Sequence, residues 1–266
     1  MPEGDTVHTI ARYLREALVG QRLSDGRIAH APGFVLRDRQ VTAINANGKH
    51  LCIELDAREQ IRVHLGMTGS WHRYTLGERW KKPAHRASLL IQREDQQYVC
   101  FSAREVEVMR VGSIAERRLQ AHLGPDLSVP APLDTALIEA RARSLLGADV
   151  PLAEVLLDQR VAAGIGNVYK SELLFIARLS PFRALGRTDS DTLRALYDRA
   201  RQVLPRNIGG APRTTREVAD AAGRLWVYRR ADRPCHVCRT PIRYVRAGRQ
   251  HRSTYWCPAC QPSETD

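Results

Sequence analysis

The chain has 266 residues, of which 43% are hydrophobic, and it carries a formal net charge of +12. This length is enough for two or three units with cores of their own, and the ordinary apolar fraction excludes wholesale disorder. No apolar stretch approaches the roughly 20 residues of a membrane-spanning helix. The N-terminus, MPEGDTVH, is acidic and polar, unlike a secretory signal. We therefore expect a cytoplasmic, bacterial-type protein.

The excess positive charge favours a polyanionic partner, because each neutralised phosphate releases counterions. Only four of the 41 basic residues are lysines, and the other 37 are arginines. Arginine suits bidentate phosphate contacts, although a compositional bias of the source organism explains the ratio equally well. Charge alone also leaves open a basic surface that binds no nucleic acid.

The first predicted element is a helix that Asp5 or Thr6 can cap. Its apolar positions recur at helical spacing from Val7 to Leu18. Pro2 would then lie just before a helix N-terminus. A strand-rich region follows, in which several short segments alternate between apolar and polar residues up to about Gly112, and this pattern predicts a β-sandwich or small barrel.

From about Leu133 the pattern becomes helical, and Gly164 and Gly166 interrupt the longest segment, which indicates helix, tight turn, helix. A strand is predicted near 225–228, before a cysteine-rich tail. The chain is therefore predicted to be an α+β multidomain protein. Its predicted parts are a β-sandwich domain with an N-terminal helix (1–112), a linker (113–132), a helical domain (133–224) and a small metal module (225–266).

The tail holds two CxxC pairs, Cys235/Cys238 and Cys257/Cys260, separated by 18 residues. Each pair can place two thiolates on one tetrahedral ion, and the segment between them suits a β-hairpin. Disulfides are the competing interpretation, which a reducing compartment disfavours. Four cysteine ligands leave no open position for water, so we expect one structural zinc ion that folds the tail.

The predicted hairpin is rich in arginine, and a metal-stiffened hairpin of this kind can clamp phosphates. The remaining two cysteines sit singly in apolar, strand-like segments and are interpreted as small buried residues. The arginines are Arg239, Arg243, Arg246, Arg249 and Arg252, and the two single cysteines are Cys52 and Cys100.

Five motifs follow one another along the chain: PEG at 2–4, GKH at 48–50, HLGMTG at 64–69, GIGNVYKSE at 164–172 and RSTYWCPACQ at 252–261. Together they resemble the formamidopyrimidine-DNA glycosylase/endonuclease VIII family of base-excision repair enzymes, over nearly the whole chain. The resemblance implies a bifunctional DNA glycosylase/AP lyase with a helix-two-turn-helix domain and a zinc finger. Damaged DNA is the implied partner, and we expect a nucleoid-associated monomer without membrane contact.

The resemblance implies that Pro2 is the nucleophile, because the family loses its initiator methionine and exposes the proline amine. Such an amine has a pKa of about 8, and the positive end of the following helix favours its neutral form. Attack at C1′ of the damaged nucleotide would expel the base and leave an iminium, from which β- and δ-elimination follow. The alternative is that Pro2 only favours removal of Met1.

Two further catalytic positions follow from the resemblance. Glu3 matches the general acid that protonates the deoxyribose ring oxygen, and Lys49 matches the lysine that contacts the phosphate at the lesion. An acid at a helix start and a solvated surface lysine are the respective alternatives. A non-catalytic damage sensor would need neither residue, nor Pro2, so their joint presence argues against that hypothesis.

Four DNA contacts are implied as well. Asn167 would meet a phosphate at a helix N-terminus, and Arg252 would grip phosphates beside the lesion. His64 matches a phosphate contact, although a core or surface histidine is nearly as good an interpretation. Met67 matches the residue that fills the void left by the flipped nucleotide, and a plain turn methionine is its alternative.

The motifs point to two branches of the family. HLGMTG looks like the formamidopyrimidine branch, which favours oxidised purines. PEG and the strand FSAREVE at 101–107 look like endonuclease VIII, which favours oxidised pyrimidines. The stretch from Thr214 to Cys235 is also shorter than in the purine branch, where a loop closes over an extruded 8-oxoguanine. We therefore expect oxidised pyrimidines as substrates, with oxidised purines as the alternative.

Overall fold

The computed structural model describes residues 2–129, 132–218 and 223–263. The chain divides into two compact units, Met1–Ala121 and His122–Asp266. No helix in these described ranges is long and apolar enough to cross a membrane. The finer division at 112, 132 and 224 stays a prediction.

The first unit begins with helix α1 (Gly4–Leu18). Its buried apolar face includes Val7, Ala11 and Leu14, which follow one another at steps of four and three residues. The helix starts earlier than predicted. Glu3 is its N-cap residue, in an extended conformation and without a side-chain capping bond, whereas the Asp5 carboxylate accepts from the Thr6 backbone N–H at 2.7 Å. The expected cap at Asp5 or Thr6 was therefore wrong.

Eight strands follow in the described part of this unit, in two four-stranded antiparallel sheets of order β1-β6-β7-β5 and β2-β3-β4-β8. The predicted β-sandwich is confirmed. Helix α2 (Ile114–His122) follows within the segment predicted as a linker. The strands are β1 (Asp25–Ile28), β2 (Val41–Asn47), β3 (His50–Leu55), β4 (Glu59–His64), β5 (Ser70–Thr75), β6 (Ala87–Arg93), β7 (Gln96–Phe101) and β8 (Glu105–Arg110).

The core of the first unit combines α1 with one face of each sheet. Ile53, Ile61 and Val63 from one sheet pack in the same cluster as Leu89 and Ile91 from the other. Each of these side chains is at most 1% exposed. The alternation of apolar and polar residues in the sequence therefore corresponds to sheets with one buried and one polar face.

Of the two single cysteines, Cys100 is fully buried in this core, as predicted. Cys52 lies on the polar face of β3 and is only partly buried, so the prediction was half right. Burial raises the pKa of the Cys52 thiol to about 11 and that of Cys100 to about 12. Both thiols are therefore protonated at neutral pH and poor nucleophiles.

The described part of the second unit contains four α-helices around an apolar core, which confirms the predicted helical domain. Asp134 and Asp189 cap two of them by accepting from backbone N–H groups at 2.8 Å. The helices are α3 (Thr135–Leu145), α4 (Leu152–Leu157), α5 (Asn167–Ile176) and α6 (Ser190–Arg206).

The tail forms the predicted hairpin from β9 (Arg243–Ala247) and β10 (Arg252–Trp256), paired antiparallel. The strand expected near 225–228 is absent from the described structure, where the backbone bends and turns instead. The backbone N–H groups of Trp226, Val227 and Tyr228 all point at the carboxylate of Glu172, at 2.7–2.9 Å. A strand would have needed those donors for a neighbouring strand.

Helix α5 carries two buried charges that hold the tail on the helices. The ammonium of Lys170 donates to the Ser253 carbonyl at 2.8 Å and to the Thr254 hydroxyl at 2.9 Å. The Glu172 carboxylate, 0% exposed, accepts from three backbone N–H groups and the hydroxyl of Thr215. The tail is thus fixed to one helix at two places, its first residues and the strand β10.

We predict that Glu172→Gln lowers the free energy of unfolding of the second unit by about 3 kcal/mol, because the amide cannot satisfy all four buried donors. Glu217→Gln, at an exposed carboxylate 3.4 Å from Arg206, is the control and should change it by less than about 0.5 kcal/mol. Urea unfolding followed by tryptophan fluorescence measures both. Equal midpoints for the two variants would contradict the structural role of Glu172.

Candidate active site

The start of α1 lies at the end of the second sheet where β2 turns into β3. The backbone N–H of Gly20, just after the helix, donates to the Val41 carbonyl at 2.8 Å. The guanidinium of Arg15 donates to the Ile44 carbonyl at 2.7 and 2.9 Å. Helix and strand therefore run antiparallel, and the first turn of α1 is directed towards the end of β2 at Asn47.

Strand register brings two more segments to this end. Gly48 and Lys49 form a two-residue turn between Asn47 and His50, with Gly48 at φ +56°. His50 pairs with His64 at the end of β4. His64 in turn pairs with Glu105 at the start of β8, so the turns after β4 and before β8 lie at the same end.

The structure thus brings five of the expected site residues to one end of the first unit, called here the Pro2 end. They are Pro2, Glu3, Lys49, His64 and Met67. Pro2 and Lys49 are half-buried, whereas Glu3 is 0% exposed. A nitrogen, a buried carboxyl and a cation gathered around one sheet end can serve as nucleophile, acid and phosphate contact.

The turn that carries Met67 requires both of its glycines. A Cβ on Gly66, which has φ +65°, would lie 2.8 Å from the Cβ of Arg104. A Cβ on Gly69 would lie 2.4 Å from the Leu65 carbonyl oxygen. This tight turn leaves Met67 61% exposed, which suits an apolar side chain that enters a DNA duplex.

A histidine pair lies behind this turn on the polar face of the sheet. The rings of His50 and His64 stack with centroids 4.9 Å apart. Arg62 donates to His50 Nδ1 at 2.8 Å and forms ion pairs with Glu105 at 2.9 Å and Glu107 at 2.8 Å. Because arginine can only donate, His50 Nδ1 is an acceptor.

Burial controls the charge of both histidines. Burial first, and then the neighbouring His64 and Arg62, lower the pKa of His50 to about 4. Burial also lowers the pKa of His64 from its usual value. Both rings are therefore neutral near pH 7, and a phosphate that approaches His64 meets an N–H donor rather than a full cation.

Sequence reasoning missed Arg62, His50 and Arg104. Arg104 donates its backbone N–H to the His64 carbonyl at 2.9 Å and packs against Gly66, so it borders the Met67 turn. The signal available for Arg62 was its spacing of two from His64, which puts both on one face of a strand. The sequence contained no signal that would pair Arg62 with His50.

The second unit holds the other two expected DNA contacts. Asn167 is the first residue of α5 and 4% exposed. The preceding turn is held by Gln159, whose amide donates to the Ile165 carbonyl at 3.1 Å and whose carbonyl accepts from the Gly164 N–H at 3.1 Å. Gly164 has φ +110°, which favours glycine.

Arg252 begins β10, where its guanidinium contacts the side-chain oxygen of Gln250 at 2.8 and 3.0 Å. The next two residues of this strand accept the bonds from Lys170. One helix therefore fixes both Asn167, at its own first position, and the strand that starts with Arg252. The second unit can present an amide and a guanidinium to phosphates on a rigid support.

The four tail cysteines form a cluster in which all Sγ atoms lie within 4.8 Å of one another. Three of the separations are 3.4 Å (Cys238–Cys257), 3.5 Å (Cys238–Cys260) and 3.9 Å (Cys235–Cys260). A zinc ion with bonds of about 2.3 Å to four sulfurs spaces them about 3.8 Å apart, so the cluster fits tetrahedral thiolate coordination. A disulfide would need about 2.05 Å.

Comparison with known proteins identifies two family domains. Residues 1–109 match "Formamidopyrimidine-DNA glycosylase N-terminal domain" and residues 125–217 match "Formamidopyrimidine-DNA glycosylase H2TH domain". A solved structure of a Lactococcus lactis Fpg mutant in complex with Fapy-dG-containing DNA aligns with a TM-score of 0.82 at 23% identity, over 98% of this chain and 100% of that chain. That likeness shows a shared fold.

Relatives extend over almost the entire chain. "Probable endonuclease 8 2" of Streptomyces coelicolor is 38% identical over 98% of this chain and 94% of its own length. "DNA-(apurinic or apyrimidinic site) lyase Nei2" of Mycolicibacterium smegmatis is 38% identical over 98% and 99%. "Formamidopyrimidine-DNA glycosylase" of Thermus thermophilus is 33% identical over 98% of both chains.

We predict that acid destabilises the first unit through His50. Because its pKa falls from 6.5 to about 4 on folding, the unfolded chain binds a proton between these values that the folded chain does not. The free energy of unfolding of the first unit is therefore highest above pH 6.5. It falls as the pH is lowered towards 4, by up to about 1.4 kcal/mol per pH unit. Urea unfolding at pH 7 and pH 5 measures it.

His50→Gln, which can still accept from Arg62, should reduce this dependence of the unfolding free energy on pH. His30→Gln, at an exposed histidine, is the matched control and should keep the parent slope. The same slope in the parent and the His50 variant would show that His50 does not control acid sensitivity.

Proposed function

The chain belongs to the formamidopyrimidine-DNA glycosylase/endonuclease 8 family of DNA glycosylase/AP lyases, and on that premise we propose that it removes oxidised bases through a Schiff base on Pro2. Oxidised pyrimidines are the preferred substrates in this proposal. The observation that carries it is the meeting of Pro2, Glu3 and Lys49 at one end of the first unit. Base-excision repair of DNA is the process served.

Pro2 is the proposed nucleophile, after removal of Met1 frees its amine. The nitrogen forms a bond to C1′, the glycosidic bond breaks with its electron pair going to the base, and the amine proton is transferred to the departing base. Opening of the sugar ring, with a proton added to the ring oxygen, leaves an iminium between Pro2 and C1′. Loss of a C2′ proton then expels the 3′ phosphate, and a second elimination expels the 5′ phosphate.

Glu3 is the proposed source of the proton for the ring oxygen. It is adjacent to Pro2 in the chain and fully buried, and its carbonyl oxygen is fixed by the Val7 N–H at 3.1 Å in the first turn of α1. A sugar bonded to the Pro2 nitrogen therefore lies close to this carboxyl. Because this carboxyl is buried, bulk water does not compete for its proton.

Lys49, His64 and Met67 are proposed to hold the nucleotide at this end. The turn position of Lys49 lets its ammonium meet the lesion phosphate. His64 adds a neutral donor beside it. Met67, on a turn that both glycines keep tight, fills the space left by the flipped nucleotide.

The preference for pyrimidines is supported by a short connection in the second unit. The backbone N–H groups of Thr215 and Arg216 both donate to the Arg224 carbonyl, at 3.0 and 3.2 Å. Only residues 217–223 lie between Arg216 and Arg224, and 219–222 lie outside the described residues. So short an excursion leaves little chain to enclose an extruded 8-oxoguanine.

The relatives support the same preference. Those named endonuclease 8 2 or lyase Nei2 are 37–38% identical over 263–269 aligned residues. Those named formamidopyrimidine-DNA glycosylase are 32–33% identical over 280–285. The longer alignments mean that this chain lacks residues that the second group has. Excision of oxidised purines is the alternative substrate class.

In the second unit, zinc is the metal we propose for Cys235, Cys238, Cys257 and Cys260. When bound, it would cross-link the two ends of the hairpin segment and supply no chemistry to the reaction. Asn167 and Arg252 are proposed to contact phosphates near the lesion. A monomeric state and association with the nucleoid stay predictions.

The decisive test incubates processed protein with duplex DNA that carries an abasic site, followed by sodium borohydride to reduce the iminium. We expect a covalent adduct that mass spectrometry maps to Pro2. Pro2→Gly should weaken or abolish it, whereas Pro32→Gly, at an exposed proline, should not. An adduct on another residue, or full activity in protein that keeps Met1, would rule out the proline mechanism.

Intact DNA binding without any adduct would favour a non-catalytic damage sensor. Repeating the trapping with duplexes that carry 8-oxoguanine or 5-hydroxyuracil tests the substrate class, and faster trapping on 8-oxoguanine would favour the oxidised-purine alternative.

We predict that Cys257→Ser lowers the zinc content from one ion per chain and weakens DNA binding together, because the hairpin that carries Arg252 loses its support. Cys52→Ser, at the partly buried cysteine of the first unit, is the control and should keep both. Metal analysis and DNA titration measure them. Tight DNA binding by a zinc-free Cys257 variant would contradict the clamp.

A further inference from the structure

The connection between β5 and β6 contains a concentrated group of basic residues, called here the basic strap (78–86). Its sequence, ERWKKPAHR, has four cationic residues and one acid, and it includes two of the four lysines of the chain. Three of the cations, Arg79, Lys81 and Arg86, are exposed. None of the motifs considered above uses this segment.

The strap cations lack carboxylate partners, unlike other cations of the same unit. Arg39 pairs with Asp56 and Glu59, and Arg62 pairs with Glu105 and Glu107. Within the described ranges, the cations of the strap form no ion pair. They are Arg79, Lys81, Lys82 and Arg86. Cations without carboxylate partners keep counterions that phosphate binding can release.

The strap is anchored rather than loose. The Trp80 ring packs edge-on against Phe101, with centroids 5.6 Å apart, and its indole N–H donates to Gln97 at 3.1 Å. The Tyr74 hydroxyl accepts from the Lys81 backbone N–H at 3.0 Å. An anchored backbone loses less conformational freedom when its exposed side chains bind a partner, so these cations are preorganised.

The strap also borders the turn that carries Met67. The Lys82 ammonium donates to the Ser70 hydroxyl at 2.7 Å, and Ser70 directly follows that turn. At the C-terminal end of the strap, the Arg86 carbonyl accepts from the Ser102 N–H at 2.8 Å, two residues before Arg104. The strap therefore extends from Thr75, whose backbone N–H donates to the Glu78 carboxylate at 3.0 Å, to the Met67 turn, next to which Lys82 and Arg86 are attached.

We propose that the basic strap binds the phosphate backbone of the DNA duplex beside the lesion, as a continuation of the surface around Met67. The proposal rests on the proposed function, because it takes damaged duplex DNA as the partner. Its contacts are to phosphates and carry no base sequence information. The strap thereby adds affinity for duplex DNA whatever the type of lesion.

The test is the salt dependence of binding to a duplex with a tetrahydrofuran abasic-site analogue, measured by fluorescence anisotropy between about 50 and 200 mM salt. Arg79→Gln/Lys81→Gln removes two exposed charges and leaves Trp80 and Lys82 in place. The slope of log affinity against log salt should fall by about 1.8, and affinity at the lower salt by about tenfold or more.

Arg27→Gln/Arg58→Gln removes the same charge from two exposed positions outside the strap and should keep a slope nearer to that of the parent. Arg86→Gln alone provides an independent variant and should lower the slope by about 0.9. A parent slope in both strap variants, or equal losses in strap and control variants, would overturn the proposal.

Failure of the proposed function is distinguishable from failure of this one. The borohydride adduct of the parent protein tests Pro2, whereas the salt slope is a binding measurement that needs no chemistry. The expected loss of slope in the strap variants, without any adduct in the parent, would support the strap and rule out Pro2 as the nucleophile. An adduct at Pro2 together with an unchanged slope would support Pro2 and rule out the strap.

Discussion

The pairing of His50 with His64, and of His64 with Glu105, holds three segments of chain at one end of the second sheet. Because side chains alternate along a strand, a shift of this register by one residue would turn His64 and Arg62 into the apolar core. The register is held from both faces, by the apolar side chains below and by the buried Arg62 network above. The placement of Lys49 and Met67 depends on it, since both lie on turns that these strands begin or end.

Helix α5 imposes the corresponding constraint on the second unit. Lys170 and Glu172 are two residues apart, yet each is buried and each binds a different part of the tail, strand β10 and residues 226–228 respectively. Burying two charges is costly unless their hydrogen bonds are made, and here the tail supplies the partners. The cysteine cluster then needs only to close the hairpin, whose attachment to the helices is already specified.

The basic residues of the first unit divide by their partners. Arg39 and Arg62 are each held by two carboxylates and contribute to the structure of the sheet. The basic strap is instead anchored through Trp80, and its exposed charges are left for a partner. The paired arginines cancel against their carboxylates in the net charge of +12, whereas the cations of the basic strap contribute to it in full.

The sequence by itself determined the local features: the buried face of α1, the alternation of the strands, the glycine turn around Met67 and the cysteine cluster. Each depends on residue types at short spacings. Only the tertiary structure decided that 225–228 is no strand, that Arg62 holds His50, and that Trp80 packs on Phe101. In each case the partner comes from elsewhere in the chain, as Glu172 does for Trp226, and periodicity contains no information about such partners. Local spacing is set by backbone geometry, whereas distant partners are chosen when buried donors and charges must be satisfied in the packed chain.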